Sequence, residues 1–353
     1  MKFKTFALFV APSVLAMLLL IAVPLAGVAY ISVFNASVQT ELVEVTTKVP
    51  VFAGVEREVT KMVPQPVLDE QGNPVRNWEY VGMDNIKTVV DPDGLSGAFT
   101  QEGSDPESSG RFLDNLADIY YDIVDIDFWG ALEFTLLYTF VTTPLVLLLG
   151  FALAMTVDNA VKKMKGVVIF ASLLPFIVTP LIGSLSIYWL FLDNSVITSL
   201  LQQMGLGKIY FMKDAFTIRA LIILYGIWHV TPFAFVIFYA GLQTVNKDSL
   251  EAAVLDGASA FDRVRYIIVP HLMPLVVFVA MMHIMDAYRI FEPVLVFGSN
   301  LFANSLQYLT FYTLNFEDNF NKAAASSLLT VLGVVILLIP ALTRNWREHK
   351  RGY

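Results

Sequence analysis

The sequence predicts an all-α polytopic membrane protein of six transmembrane helices, with one small β-containing insertion between the first and the second. Three observations carry this. The 353-residue chain is 56% hydrophobic and 15% charged, with a mean hydropathy of +0.63, too little polar surface for a soluble protein. Six strongly apolar stretches each run for 20 residues or more without Asp, Glu, Lys or Arg, and a bilayer core needs about 20 mostly apolar residues per helix. The segment between the first two stretches has another composition, acidic and rich in β-branched residues.

The first stretch lies between Lys4 and Glu41, and its apolar run from Phe6 to Phe34 is far longer than the h-region of a signal peptide. Residues 1–36 are therefore expected to form an uncleaved N-terminal transmembrane helix. Residues 37–127 form the insertion. Within it, residues 41–63 partly alternate and are β-branched, and Asp69-Glu70-Gln71-Gly72-Asn73-Pro74 is a turn signal before Val75 to Tyr80. These predict a small β-rich subdomain. Residues 91–110 are poor in large apolar groups and are expected to be a flexible acidic linker. Phe112, Leu113, Leu116, Ile119 and Tyr120 then restore a helical period.

Residues 128–353 supply the other five spans, between Glu133 and Asp158, Lys165 and Asp193, Arg219 and Lys247, Arg265 and Asp286, and Lys322 and Arg344. Pro144, Pro175, Pro180 and Pro232 fall inside them and predict kinks. With the N-terminus inside, twelve Lys and Arg fall in cytoplasmic stretches, Lys162, Lys163 and Lys165 among them, whereas the short loops 194–218 and 293–322 hold only Lys208, Lys213 and Lys322. The positive-inside rule then places both termini in the cytoplasm and the insertion outside. The insertion carries a net charge of −12 and the remainder +4, so the overall −8 joins two unlike parts. No basic face for a nucleic acid follows from this balance. The absence of cysteine excludes disulfides, Cys-ligated metals and thiol nucleophiles. No catalytic metal or nucleophile motif is present, and there is no phosphate-binding loop; Gly205-Leu206-Gly207-Lys208 lacks the spacing.

The loop between the fourth and fifth spans, residues 246–270, is the most informative stretch. Ser249 to Leu255 favours a short helix, Gly257 suits a left-handed turn, and a second short helix from Phe261 to about Ile268 is expected to end at Pro270 and Pro274. Such an elbow can insert into a groove on another protein. Glu251, Ala252, Ala253, Gly257, Ile267 and Pro270, with Asp256, Ala258 and Arg263 between them, resemble the Glu-Ala-Ala signature of the membrane subunits of binding-protein-dependent ABC importers. Val269 stands where Leu is usual. Residues 78–86 (WEYVGMDNI) and Phe128-Trp129-Gly130-Ala131-Leu132 are similar to segments of the carbohydrate, maltose-type branch. Phe134, Val264 and Phe297-Gly298-Ser299-Asn300 depart from that branch.

The resemblance implies a bacterial inner-membrane permease that pairs with a second permease, expected as a heterodimer. Two separate ATP-binding subunits would carry ATP and Mg, the chain itself binding no cofactor, and an external protein would deliver a sugar, polyol or related solute. The elbow would couple to the ATPases.

Ionisable and aromatic groups inside spans are candidates for the solute pathway. His283, Asp286, Arg289 and Glu292 are each three apart, and Asp286 with Arg289, and Arg289 with Glu292, can pair on a helix surface. Trp228, Tyr239, His283 and Tyr288 can supply aromatic faces and hydrogen-bond partners. An ion-coupled secondary transporter using Asp286 and His283 is the alternative reading.

Overall fold

The computed structural model describes residues 3–52, 55–72, 74–100, 112–159, 165–205, 210–297 and 303–351. Residues 101–110, Lys162, Lys163, Lys208 and Gly298 to Asn300 lie outside that set. Among the described residues six helical segments are long and apolar enough to cross a membrane: Leu8–Val33, Asp127–Asn159, Pro180–Gln203, Ala215–Leu242, Ala260–Val296 and Phe320–Pro340. The chain divides into two compact units, one of residues Met1–Asp91 with Thr313–Leu328, the other of Pro92–Tyr312 with Leu329–Tyr353.

In the first unit, α1 (Phe3–Met17) passes through a π-helical turn (Leu18–Ala22) into α2 (Val23–Val33). Pro24 explains the turn: its ring clashes with the carbonyl four residues back, Leu20, and the widened turn makes room. The chain then forms β1 (Phe34–Val38), a hairpin of β2 (Thr40–Phe52) and β3 (Val55–Pro66), and β4 (Arg76–Tyr80) antiparallel to β1. The expected β subdomain is thus two separate two-stranded sheets. The amides of Val81 and Gly82 bond the Val33 carbonyl at 3.0 and 3.1 Å, and Asn85 Nδ2 donates to the carbonyls of Ser32 and Phe34 at 3.1 Å each. This segment, part of WEYVGMDNI, satisfies carbonyls that the end of the first span leaves open. α3 (Asp84–Val90) closes it.

In the second unit, α4 (Pro92–Thr100) corrects the expectation of a linker at 91–110 over residues 92–100, which are helix, with Pro92 opening it, Asp93 in the first turn and Ala98 buried. α5 (Phe112–Asp125) and α6 (Asp127–Asn159) follow. The third predicted span is broken into α7 (Lys165–Ile177) and α8 (Pro180–Phe191), which α9 (Val196–Gln203) extends after a turn. Pro180 has no N–H and holds Thr179 in extended backbone (φ −62°, ψ 144°), which ends α7. α10 (Ala215–Leu242) packs along α6. A Cβ on Gly150 would lie 2.6 Å from the Ala234 Cβ and 3.0 Å from the Phe235 amide, so glycine permits this approach.

The chain continues through α11 (Lys247–Leu255), α12 (Ala260–Arg263), a second π-helical turn (Val264–Ile268) and α13 (Val269–Ala287). The helix that begins at Ala260 therefore runs on through Pro270 instead of ending there. The π turn again spans the residue four before a proline, here Tyr266. α14 (Glu292–Val296), α15 (Leu306–Asn315) and α16 (Phe320–Arg351) complete the fold. One buried cluster gathers Phe134, Ile222, Val294 and Tyr308, and a second, nearer the elbow, gathers Val146, Phe235, Phe238, Leu272 and Val279. Buried hydroxyls are spent locally: Thr139, Thr142 and Thr231 each donate to a carbonyl one turn earlier at 2.6–2.8 Å.

Candidate functional site

The elbow is built by two consecutive caps. Asn246 opens α11 by accepting from the Asp248 amide at 2.9 Å. At the other end Gly257 takes φ +81°, its amide bonds the Val254 carbonyl at 3.1 Å, and the Ala258 amide bonds the Ala253 carbonyl at 2.9 Å. These are the two bonds of a Schellman motif, with glycine at its left-handed position. The spacing from Ala253 to Gly257 and Ala258 is therefore the spacing of one helix terminus. The next residue, Ser259, starts α12 with a capping box: its Oγ accepts from the Asp262 amide at 3.1 Å and its own amide donates to Asp262 Oδ2 at 3.2 Å. The sequence signal, Ser-x-x-Asp directly after the glycine, was available and marks Ser259 and Asp262 as elbow residues.

The exposed surface of the elbow is more apolar than its alanines suggest. Leu255 is 89% exposed and Phe261 68%, with Val254 and Tyr266 also exposed. Glu251, Ala252, Asp256 and Pro270 are exposed beside them, whereas Ala253, Ala258, Arg263 and Ile267 are half-buried. Large apolar side chains flanking a loop glycine were the signal for Leu255 and Phe261. Beneath the elbow, Asp158 of α6 accepts from Gln243 Nε2 at 3.0 Å through Oδ1, and its carbonyl accepts from Lys165 Nζ at 2.7 Å. This ties the ends of α6, α7 and α10 together.

The second site is a cavity of about 170 Å³ lined by Tyr225, His229, His283, Asp286, Arg289 and Glu292. His283 is buried, its Nε2 3.0 Å from Thr142 Oγ1. The Thr142 hydroxyl already donates to the Tyr138 carbonyl, so it accepts from Nε2–H, leaving Nδ1 as the acceptor of the neutral ring. His229 mirrors this: Nδ1 lies 2.8 Å from the Pro175 carbonyl and must be the donor, leaving Nε2 as acceptor. Tyr225 stacks on His229 at 5.5 Å and donates to the Pro180 carbonyl at 2.9 Å. The residues flanking the break between α7 and α8 thus supply the carbonyls that orient two cavity residues.

Asp286 and Arg289 form an ion pair at 3.7 Å. The expected Arg289–Glu292 pair is not found among the described residues, because α13 ends at Ala287 and Glu292 begins a new helix. Of the other candidates, Trp228 is 46% exposed in a separate apolar groove of about 400 Å³ with Thr231 and Pro232. Tyr239 packs on Phe235, and Tyr288 is buried with its hydroxyl over Gly333. The structure brings His283, Asp286 and Arg289 together and leaves these three apart from them.

Residues 134–346, more than half of the chain, match the family described as binding-protein-dependent transport system inner membrane component. A probable ABC transporter permease from Pyrococcus horikoshii is 30% identical over 64% of this chain and 77% of its own length. The trehalose/maltose transport system permease protein MalF of Thermococcus litoralis is 27% identical over 60% of this chain and 73% of that protein. The lactose transport system permease LacF of Rhizobium radiobacter is 27% identical over 63% and 76%. A solved bacterial ABC transporter involved in import of the acidic polysaccharide alginate superposes with a TM-score of 0.59 at 17% identity, covering 72% of this chain and 88% of that one, a likeness of fold. The six apolar helices are those of a multi-pass membrane protein, and the chain belongs to the inner membrane component family of binding-protein-dependent transport systems.

Proposed function

We propose that this permease forms, with a second and different permease chain, the pathway of an ATP-driven importer for a sugar, polyol or related solute. The observation that carries the reading is the elbow: a doubly capped, rigid turn that presents Leu255 and Phe261 to solvent on a chain without a phosphate-binding loop. An exposed apolar turn of this kind fits a groove on a partner, here two ATPase subunits that hold ATP and Mg. Their closure would push on α11 and, through α12 and the π turn, on α13, whose far end carries His283 and Asp286. Alternating access around the cavity follows as a rigid-body motion. Both termini and the elbow face the cytoplasm, and the insertion faces an external solute-binding protein.

Carbohydrate as the solute class is supported by the trehalose/maltose and lactose relatives and by the cavity chemistry. His229 and His283 present acceptors, Asp286 and Glu292 accept, Arg289 donates, and Tyr225 adds an aromatic wall. Neutral polyhydroxy solutes need donors and acceptors in close alternation beside an apolar face. The test is uptake into vesicles holding the assembled importer with ATP inside and the loaded binding protein outside. Uptake that requires ATP hydrolysis and ignores an uncoupler is expected. Uptake abolished by the uncoupler at constant ATP overturns the reading in favour of ion coupling through Asp286 and His283.

A further inference from the structure

The short sheet of β1 and β4 has two chemically different faces. Phe34 pairs with Tyr80, Asn35 with Glu79, Ala36 with Trp78 and Ser37 with Asn77. Because side chains alternate along a strand, Phe34, Trp78 and Tyr80 share one face and Asn35, Asn77 and Glu79 the other. Tyr30, one turn before the end of α2, joins the aromatic face: it stacks on Phe34 at 4.1 Å and lies 6.1 Å from Trp78, while Phe34 meets Tyr80 at 5.3 Å. Although in mutual contact, Tyr30, Trp78 and Tyr80 remain 50%, 47% and 70% exposed. The polar face is occupied: Asn321 in the first turn of α16 donates from Nδ2 to Asn35 Oδ1, and Gln39 Nε2 donates to Asn77 Oδ1 at 3.1 Å. The aromatic face therefore points away from α16.

A two-stranded ribbon of five residue pairs is marginal in water and needs a surface to lie on. The span that runs into it shows which surface. Leu8–Val33 has 26 residues, about 39 Å at 1.5 Å per residue, against a hydrocarbon core of about 30 Å. Its end at Tyr30 to Val33 thus falls at the level of the headgroups, and the ladder continues from it without a break. Aromatic rings with one apolar and one polar end favour that layer.

We propose that the aromatic face of the β1–β4 sheet is an interfacial anchor: Tyr30, Phe34, Trp78 and Tyr80 lie in the headgroup and upper acyl layer of the leaflet on the insertion side. The occupant is the bilayer surface itself. The anchor sets the depth of the first span and holds the base of the insertion flat on the membrane. Neither consequence depends on which solute is carried.

This chain contains no cysteine, so a label on a single introduced cysteine has no background from it, and the partner subunits are used in cysteine-free form. Tyr80→Cys and Glu79→Cys carry a nitroxide in the assembled importer, reconstituted in phosphatidylcholine/phosphatidylglycerol vesicles. At position 80, oxygen is expected to relax the label more than a water-soluble nickel chelate does, and at position 79 that order reverses. Adding the loaded binding protein leaves position 80 unchanged. Trp78→Cys and Asn77→Cys repeat the contrast if the first pair assembles poorly. Equal nickel accessibility on the two faces overturns the proposal, as does protection of position 80 from both probes, which means burial against another subunit. Protection that appears only with the binding protein also overturns it and assigns the face to docking.

Discussion

Replacing Gly257 separates the backbone role of the elbow from its contact role. The glycine sits at φ +81°, and a Cβ there would meet no atom within 4 Å. Within this chain a side chain at 257 is therefore opposed only by left-handed backbone strain, about 1–2 kcal/mol. The lower unfolded-state entropy of alanine offsets part of that, leaving about 1 kcal/mol for Gly257→Ala. This lowers the population of the capped elbow relative to its opened form by about fivefold. Asn tolerates the left-handed region better than Ala, and a β-branched residue tolerates it least. The expected order of coupling is Gly, Asn, Ala, Val. It is read from ATPase stimulation by the loaded binding protein in the assembled importer, and from hydrogen exchange at the Ala258 amide, which bonds the Ala253 carbonyl at 2.9 Å. If Ala and Val keep wild-type stimulation and wild-type protection at Ala258, the Schellman geometry does not transmit the stroke. If they keep the protection but lose stimulation in proportion to side-chain size, contact with a partner dominates and the strain argument fails.

Other perturbations follow from single contacts. Gly150→Leu forces a side chain into Ala234 and the Phe235 backbone. It should cost about 1–3 kcal/mol, seen as a lower melting temperature of the purified chain. Asn85→Ala removes both donors to the Ser32 and Phe34 carbonyls, a loss of about 1–2 kcal/mol, and should speed amide exchange at Val81 and Gly82. Tyr120, outside the spans, is held above its usual pKa of about 10 first by burial and then by the Glu133 carboxylate that accepts its hydrogen bond at 3.1 Å. The folded chain binds that proton more tightly, so the contribution is intact below the usual value and is lost as pH rises through the raised one. Glu133→Gln should bring phenolate absorbance in at lower pH, with Tyr120→Phe as the reference.

The spans were legible because hydrocarbon imposes a one-dimensional rule, long runs without charge, that needs no knowledge of neighbours. The elbow was legible for a related reason. Its shape is set by hydrogen bonds within a dozen residues, from Asn246 to Asp262, and Gly257 announces the turn. Some local signals point away from the fold. Residues 92–100 are helix because Pro92 and Asp93 open one, which low apolar content obscured. Pro270 does not stop its helix because a π turn absorbs it, and nothing in the residue types distinguishes absorption from termination.

The sequence by itself determined how many apolar segments there are, where the insertion lies and what form the elbow takes, since each depends on composition or on contacts a few residues apart. Only the tertiary structure decided which intramembrane polar groups meet. His283 finds Thr142, 141 residues away, and His229 finds the Pro175 carbonyl, 54 residues away, while Trp228, Tyr239 and Tyr288 turn elsewhere. Helical period says which face a side chain occupies. Which neighbour that face receives is set by close approaches such as Gly150 on Ala234, and so the cavity belongs to the packing of the spans.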